Sequence, residues 1–227
     1  NILLNEITSI VWGPITLSLL LGVGIYLTFG LRAFPITNMA YGFKSLFRKD
    51  KEKSDGDISS FQSLMTALSA TVGTGNIAGV ATAIFLGGPG AIFWMWITAL
   101  FGMALKYAEC SLSHYYRVVH EDGSVSGGPM YYIQRGLGEK WKPLAVAFAS
   151  FAVICSFCTG NMNQANTIAQ TFTTYNIPLW ASGAAIAVLV GLVIIGGIKR
   201  IAAVASRLVP TMAALYVGSA LIVLFFN

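Results

Sequence analysis

Apolar residues in this chain fall in long unbroken runs, not in the strict alternation of a half-buried strand or the three-and-four spacing of a surface helix. Each run is close to the ~20 residues a helix needs to cross hydrocarbon. The pattern predicts six spans, at residues 10–29, 61–86, 91–116, 143–170, 179–197 and 208–226. The second run differs from the rest at its centre. It reads ATVGTGNIAG over residues 70–79, with glycine at 73, 75 and 79 and threonine at 71 and 74. In hydrocarbon every peptide N–H and C=O must be satisfied inside the protein. A segment that weakens a helix at that depth is costly unless the freed groups bind something, as in the broken helices of secondary transporters.

Composition narrows the class. The chain has 227 residues, 56% hydrophobic and 10% charged, against about 25% charged in a soluble domain. That excludes an ordinary soluble globular domain and fits an all-α polytopic protein of a cell membrane. The formal net charge is +5, but the basic residues sit in short loops, so nucleic acid is not an expected partner and the lipid bilayer is. All Lys and Arg residues except Lys106 fall in the stretches 32–53, 117–142 and 199–207. The loops at 87–90 and 171–178 carry none. Positive loops stay inside, so the three basic stretches are expected in the cytoplasm and both ends of the chain outside. Residues 10–29 lack a small-residue cleavage site and read as a retained span.

Two smaller segments stand out. The stretch 44–57 is polar and of mixed charge, which predicts a mobile loop. Residues 130–135 predict a short interfacial helix, with Tyr131 and Tyr132 near the headgroups and Gly136 ending it. The cysteines are Cys110, Cys155 and Cys158. An odd count on apolar segments argues against a disulfide framework, and the C-x-x-C spacing of Cys155 and Cys158 reads as small residues on one helix face.

Candidate chemistry concentrates at three places. Opening the helix at Thr71, Gly73, Thr74, Gly75 and Asn76 would release N–H groups at the positive end of the second half-helix, suited to a carboxylate. Carbonyls ending the first half, with the Thr and Asn oxygens, suit Na⁺. Close packing through Gly75 and Gly79 is the competing explanation for the glycines, and it explains the threonines and Asn76 less well. The second place is Thr159, Asn161, Asn163, Gln164 and Asn166 in the fourth run. Polar side chains there are costly unless they face the bundle interior: they line one cavity, with Asn161 and Gln164 on one face, or else bond between helices or lie near the outer surface. The third is Lys106 with Glu109, at a spacing that pairs opposite charges, read as a structural or gating pair. His114 and His120 lack metal-ligand partners. No nucleophile–base arrangement is present, so no enzyme activity is expected.

These residues resemble the alanine/glycine:cation symporter family. The likeness is carried by ALSATVGTGNIAGVATA at 67–83, GGPGAIFWMW at 87–96, ALKYAE at 104–109 and GGPMYYI at 127–133, and it runs along the whole chain. It implies a leucine-transporter-type fold of two inverted five-helix repeats, and uptake of alanine or glycine with Na⁺, or H⁺ in some members. The first span would be peripheral and the other five the first repeat. By position, the backbone at Thr74 and Gly75 would meet the substrate carboxylate. The Thr71 carbonyl and Asn76 side chain would serve one sodium, the carbonyls of Ser69 and Val72 the other, and Gln164 would contact the cavity. Members run to about twice this length, so the second repeat and the remaining ligands are expected outside the chain. An ion channel, or the same fold with another cargo, stays open as an alternative.

Overall fold

The computed structural model describes residues 2–46, 58–121, 123–158 and 160–226. Most of the loop predicted to be mobile lies outside the described residues, as does Thr159. The helices are α1 (Ile2–Val11), α2 (Pro14–Gly30), α3 (Phe34–Thr37) and α4 (Met39–Leu46). Then come α5 (Ser60–Thr71), a π-helical turn (Gly75–Gly79), α6 (Val80–Gly87) and α7 (Gly90–Tyr115). After them follow α8 (Pro129–Leu137), α9 (Lys142–Cys158), α10 (Gly160–Thr173), α11 (Leu179–Ile194) and α12 (Gly197–Phe226). One feature departs from the all-α expectation: a two-stranded hairpin of β1 (Val118–Val119) and β2 (Val125–Ser126). Gly123 at its tip has φ +79°.

Among the described residues, four helical stretches are long and apolar enough to cross a membrane, Glu6–Gly30, Gly90–Tyr115, Glu139–Thr173 and Gly197–Phe226. A bent pair, Ser60–Thr71 with Gly75–Gly87, makes a fifth if counted as one. The helix Leu179–Ile194, with 16 residues, is shorter than the 179–197 predicted. The last helix is longer than predicted, beginning at Gly197 rather than at 208, with Pro210 in its interior. Proline there removes one backbone hydrogen bond, and the Thr211 hydroxyl donates to the nearby Arg207 carbonyl at 2.9 Å.

The chain packs as two units. In the first, which includes Thr82–Val118 and Ser126–Val146, α2 lies along α7. Glycine makes this approach possible: a Cβ at Gly24 would sit 3.1 Å from the Phe101 Cβ and 3.4 Å from Leu105 Cδ1. Ala104 at this level is 2% exposed. Phe34 of α3 packs its ring on Tyr107, centroids 5.4 Å apart. The helix predicted at 130–135 is present and longer. Pro129 starts α8, and Gly138, at φ +96°, ends it rather than Gly136. Gly136 has another use, because the Tyr116 ring lies where a side chain would go.

In the second unit α5 packs along α12, α11 on α12 and α10 on α11. Ser59 and Gln62 cap α5 reciprocally, the Gln62 N–H donating to Ser59 Oγ at 3.3 Å and the Ser59 N–H to Gln62 Oε1 at 3.1 Å. Two donors that a helix start leaves without partners are thereby satisfied. Met65 is buried against Ala205 and Val209, flanked by Phe61, Leu64 and Leu68. This contact holds α5 in place up to the point where it breaks.

Candidate substrate and cation site

The helix breaks where the glycine-rich sequence allows it. α5 ends at Thr71, Val72 turns extended (φ −85°, ψ 110°), and the chain re-enters helix through the π-helical turn. The two halves meet at 59°. Asn76 organises the gap. The Gly73 N–H donates to Asn76 Oδ1 at 3.1 Å, whereas in an unbroken helix it would donate to the Ser69 carbonyl. The Asn76 N–H donates to the Gly73 carbonyl at 3.1 Å, whereas its α-helical acceptor would be Val72. One asparagine therefore diverts the helical donors of both Ser69 and Val72. An amide oxygen has two lone pairs, so Asn76 Oδ1 keeps one after accepting from Gly73.

The threonine and serine hydroxyls here turn back on their own helix. Thr71 Oγ1 donates to the Ala67 carbonyl at 2.8 Å and Ser69 Oγ to the Thr66 carbonyl at 2.7 Å. Each hydroxyl oxygen still has acceptor capacity. Thr74 opens the second half-helix in helical geometry with no side-chain cap. Thr71, Gly75 and Asn76 are exposed, and Thr74 is half-buried.

Gln164 of α10 is brought to this break. A Cβ on Gly73 would lie 2.7 Å from Gln164 Nε2, so only glycine lets the amide sit on the backbone there. Asn161 is turned elsewhere, its Nδ2 donating to the Ser156 carbonyl at 3.1 Å. Asn166 pairs within α10, accepting from Gln170 at 3.4 Å.

One wall is absent from the sequence reading. A groove of about 600 Å³ runs beside the break, lined by Leu68, Val72, Asn76 and Ile77 on one side and by α12 residues including Met212 and Tyr216 on the other. Its side chains are apolar apart from Asn76, Ser219 and the hydroxyl of Tyr216. Pro210 in the last span was the available signal that this part of α12 is unusual.

In the first unit, Lys106 Nζ and Glu109 Oε2 form the expected pair at 3.0 Å, with side chains 65% and 43% exposed. Tyr132 of α8 lies near them. Burial first, and then the Glu109 charge, push its phenol above the ordinary value. Among the described residues no group of three or more His, Cys, Asp or Glu could hold a metal. A cation at the break would rest on neutral oxygens, which suits a monovalent ion better than a transition metal.

Apolar helices long enough to span, one of them broken and exposing backbone oxygens, define a membrane-embedded multi-pass protein. The chain belongs to the sodium:alanine symporter family, whose profile it matches over residues 1–227. It is 49% identical over 229 residues to the sodium/alanine symporter AgcS of Methanococcus maripaludis, covering 99% of this chain and 51% of that protein. It is 40% identical to the putative sodium/proton-dependent alanine carrier protein YrbD of Bacillus subtilis, covering 98% and 45%. It is 38% identical to the probable sodium/glutamine symporter GlnT of Bacillus subtilis, covering 96% and 45%. The chain spans about half the length of the curated relatives it matches.

Proposed function

We propose that this chain forms part of a symporter coupling Na⁺ entry to uptake of small neutral amino acids, alanine or glycine, by alternating access. The observation that carries it is the break at Thr71–Asn76, where Asn76 diverts the helical donors of Ser69 and Val72. The carbonyls of Ser69 and Val72 serve one sodium. The Thr71 carbonyl and the second lone pair of Asn76 Oδ1 serve another. The N–H groups at Thr74 and Gly75 receive the substrate carboxylate at the start of the second half-helix, and Gln164 contacts the cavity, whereas Asn161, bonded to the Ser156 carbonyl, does not. Protons are the alternative coupling ion, a choice that the name of the Bacillus subtilis relative YrbD allows for that protein.

The wider architecture follows the same reading. Six spans, with the basic stretches 32–53, 117–142 and 199–207 in the cytoplasm, give one peripheral helix and a first five-helix repeat of leucine-transporter type. A second, inverted repeat supplies the remaining ligands. The relatives, about twice as long, support this. Ion binding favours the substrate-competent state, and the coupling is reciprocal.

The test is uptake of radiolabelled alanine and glycine into proteoliposomes, with and without an inward Na⁺ gradient, and with unlabelled glutamine as competitor. Saturable uptake driven by Na⁺ is expected. Conductance without saturable uptake would replace the reading with a channel. No uptake of alanine or glycine, together with Na⁺-driven uptake of labelled glutamine in the same vesicles, would keep the symport and change the cargo.

A further inference from the structure

We propose that the corner joining α8 to α9 is a binding surface for anionic phospholipid headgroups. The inference rests on the reading of α9 as a membrane-crossing helix, which sets Lys142, its first residue, at headgroup level. The corner is built locally. Gly138, at φ +96°, turns the chain out of α8. The Trp141 N–H donates to the Gly138 carbonyl at 3.0 Å, and Gln134 Nε2 donates to Glu139 Oε1 at 2.9 Å.

The corner has two sides. Residues 131–134 are half-buried, and α8 packs against α7. Arg135, Lys140 and Lys142 are exposed on the chain that follows. The one carboxylate among them, Glu139, is engaged by Gln134. Between the cations stand large exposed apolar side chains, Leu137 at 60%, Trp141 at 50% and Leu144 at 48%. Lysine and arginine beside an indole and leucines, where a helix enters hydrocarbon, match a surface with anionic phosphates above and acyl chains below. Near an anionic leaflet each such cation raises binding roughly fivefold. A zwitterionic headgroup offers the same phosphate without the net charge, so the corner distinguishes the two lipid classes.

The experiment uses the protein in vesicles of phosphatidylcholine and phosphatidylglycerol, with one or the other lipid brominated to quench nearby tryptophan. The difference between the native chain and Trp141→Phe isolates the Trp141 signal. Brominated phosphatidylglycerol is expected to quench Trp141 at a lower mole fraction than brominated phosphatidylcholine, by at least tenfold. The variant Arg135→Gln/Lys140→Gln/Lys142→Gln is expected to lose that preference. Should it fail to fold, Lys140→Gln alone is expected to lower the preference roughly fivefold. Equal quenching by both lipids, or a preference that survives in these variants, would overturn the proposal. So would Trp141 quenched by neither lipid, because protein would then cover the corner. Loss of uptake with the lipid preference intact would count against the transport reading and not against this one.

Discussion

At the scale of single residues, Asn76 does the most with the least. Its side chain accepts one hydrogen bond and its N–H is redirected by one residue, from Val72 to Gly73, and together these open the helix. Asn76→Ala keeps the N–H and removes the oxygen, so Gly73 can fall back toward Ser69 and one cation ligand is lost. Na⁺-dependent uptake is expected to fall at least tenfold, and the remaining uptake to lose its Na⁺ dependence. Wild-type Na⁺ dependence in that variant would remove Asn76 from the site. Gly73→Ala is a finer probe. The added methyl would meet the tip of a flexible side chain, Gln164 Nε2 at 2.7 Å, so the amide moves while the backbone stays. Thermal stability should hardly change, whereas KM for the amino acid should rise roughly fivefold, as for one lost hydrogen bond of about 1 kcal/mol. In a Gln164→Ala background the same methyl should have no further effect on KM.

Among the elements, packing depends on small residues, because lipid gives no hydrophobic drive to press helices together. The α2–α7 contact illustrates it. Gly24→Leu puts a branched side chain against Phe101, 3.1 Å from where the Cβ would already stand. Overpacking of this kind costs about 1–3 kcal/mol and should lower the melting temperature in detergent. Gly22→Leu, where nothing lies within 4 Å, should leave it unchanged. The same elements show what sequence alone carries. The broken helix was legible, because glycine and threonine at mid-bilayer depth oppose a continuous helix whatever the rest of the chain does. The interfacial helix was legible through its proline and tyrosines, but its end was misplaced. Gly136 and Gly138 look alike in sequence, and only the position of the Tyr116 ring separates a packing glycine from a terminating one. The inward placement of Gln164 beside Gly73 was legible as polarity on an apolar helix. That Asn161 bonds Ser156 was not, since both residues fit the same helical face. The α12 wall of the groove was hidden because Met212 and Tyr216 read as ordinary span residues, and the hairpin because two-residue strands leave no periodicity.

For the whole molecule, the buried side chains among the described residues are mostly alanine, with Met65, Ser182 and Val209, while large apolar side chains such as Phe85, 87% exposed, face outward. In water that surface would drive aggregation. In a bilayer it is solvated by chains as apolar as itself. The proposed topology makes a direct prediction in a background whose three native cysteines are replaced by serine. An impermeant maleimide should label Thr174→Cys on intact cells and Ser45→Cys only after permeabilisation; the reverse pattern would invert the orientation. The hydrogen bond between Gly73 and Asn76 also has a kinetic side. A carrier that completes its cycle must cross back empty, and bare polar groups at mid-bilayer would slow that return. On the proposed reading, Asn76 keeps the Gly73 N–H and C=O paired while no cargo is aboard and leaves the Ser69 and Val72 carbonyls as the open acceptors. An arriving cation would then meet those carbonyls and the spare Oδ1 lone pair without first breaking the bonds that hold the gap open. On that reading the rate of net uptake, as distinct from exchange of internal for external substrate, would depend on how cheaply the empty break carries those two carbonyls across.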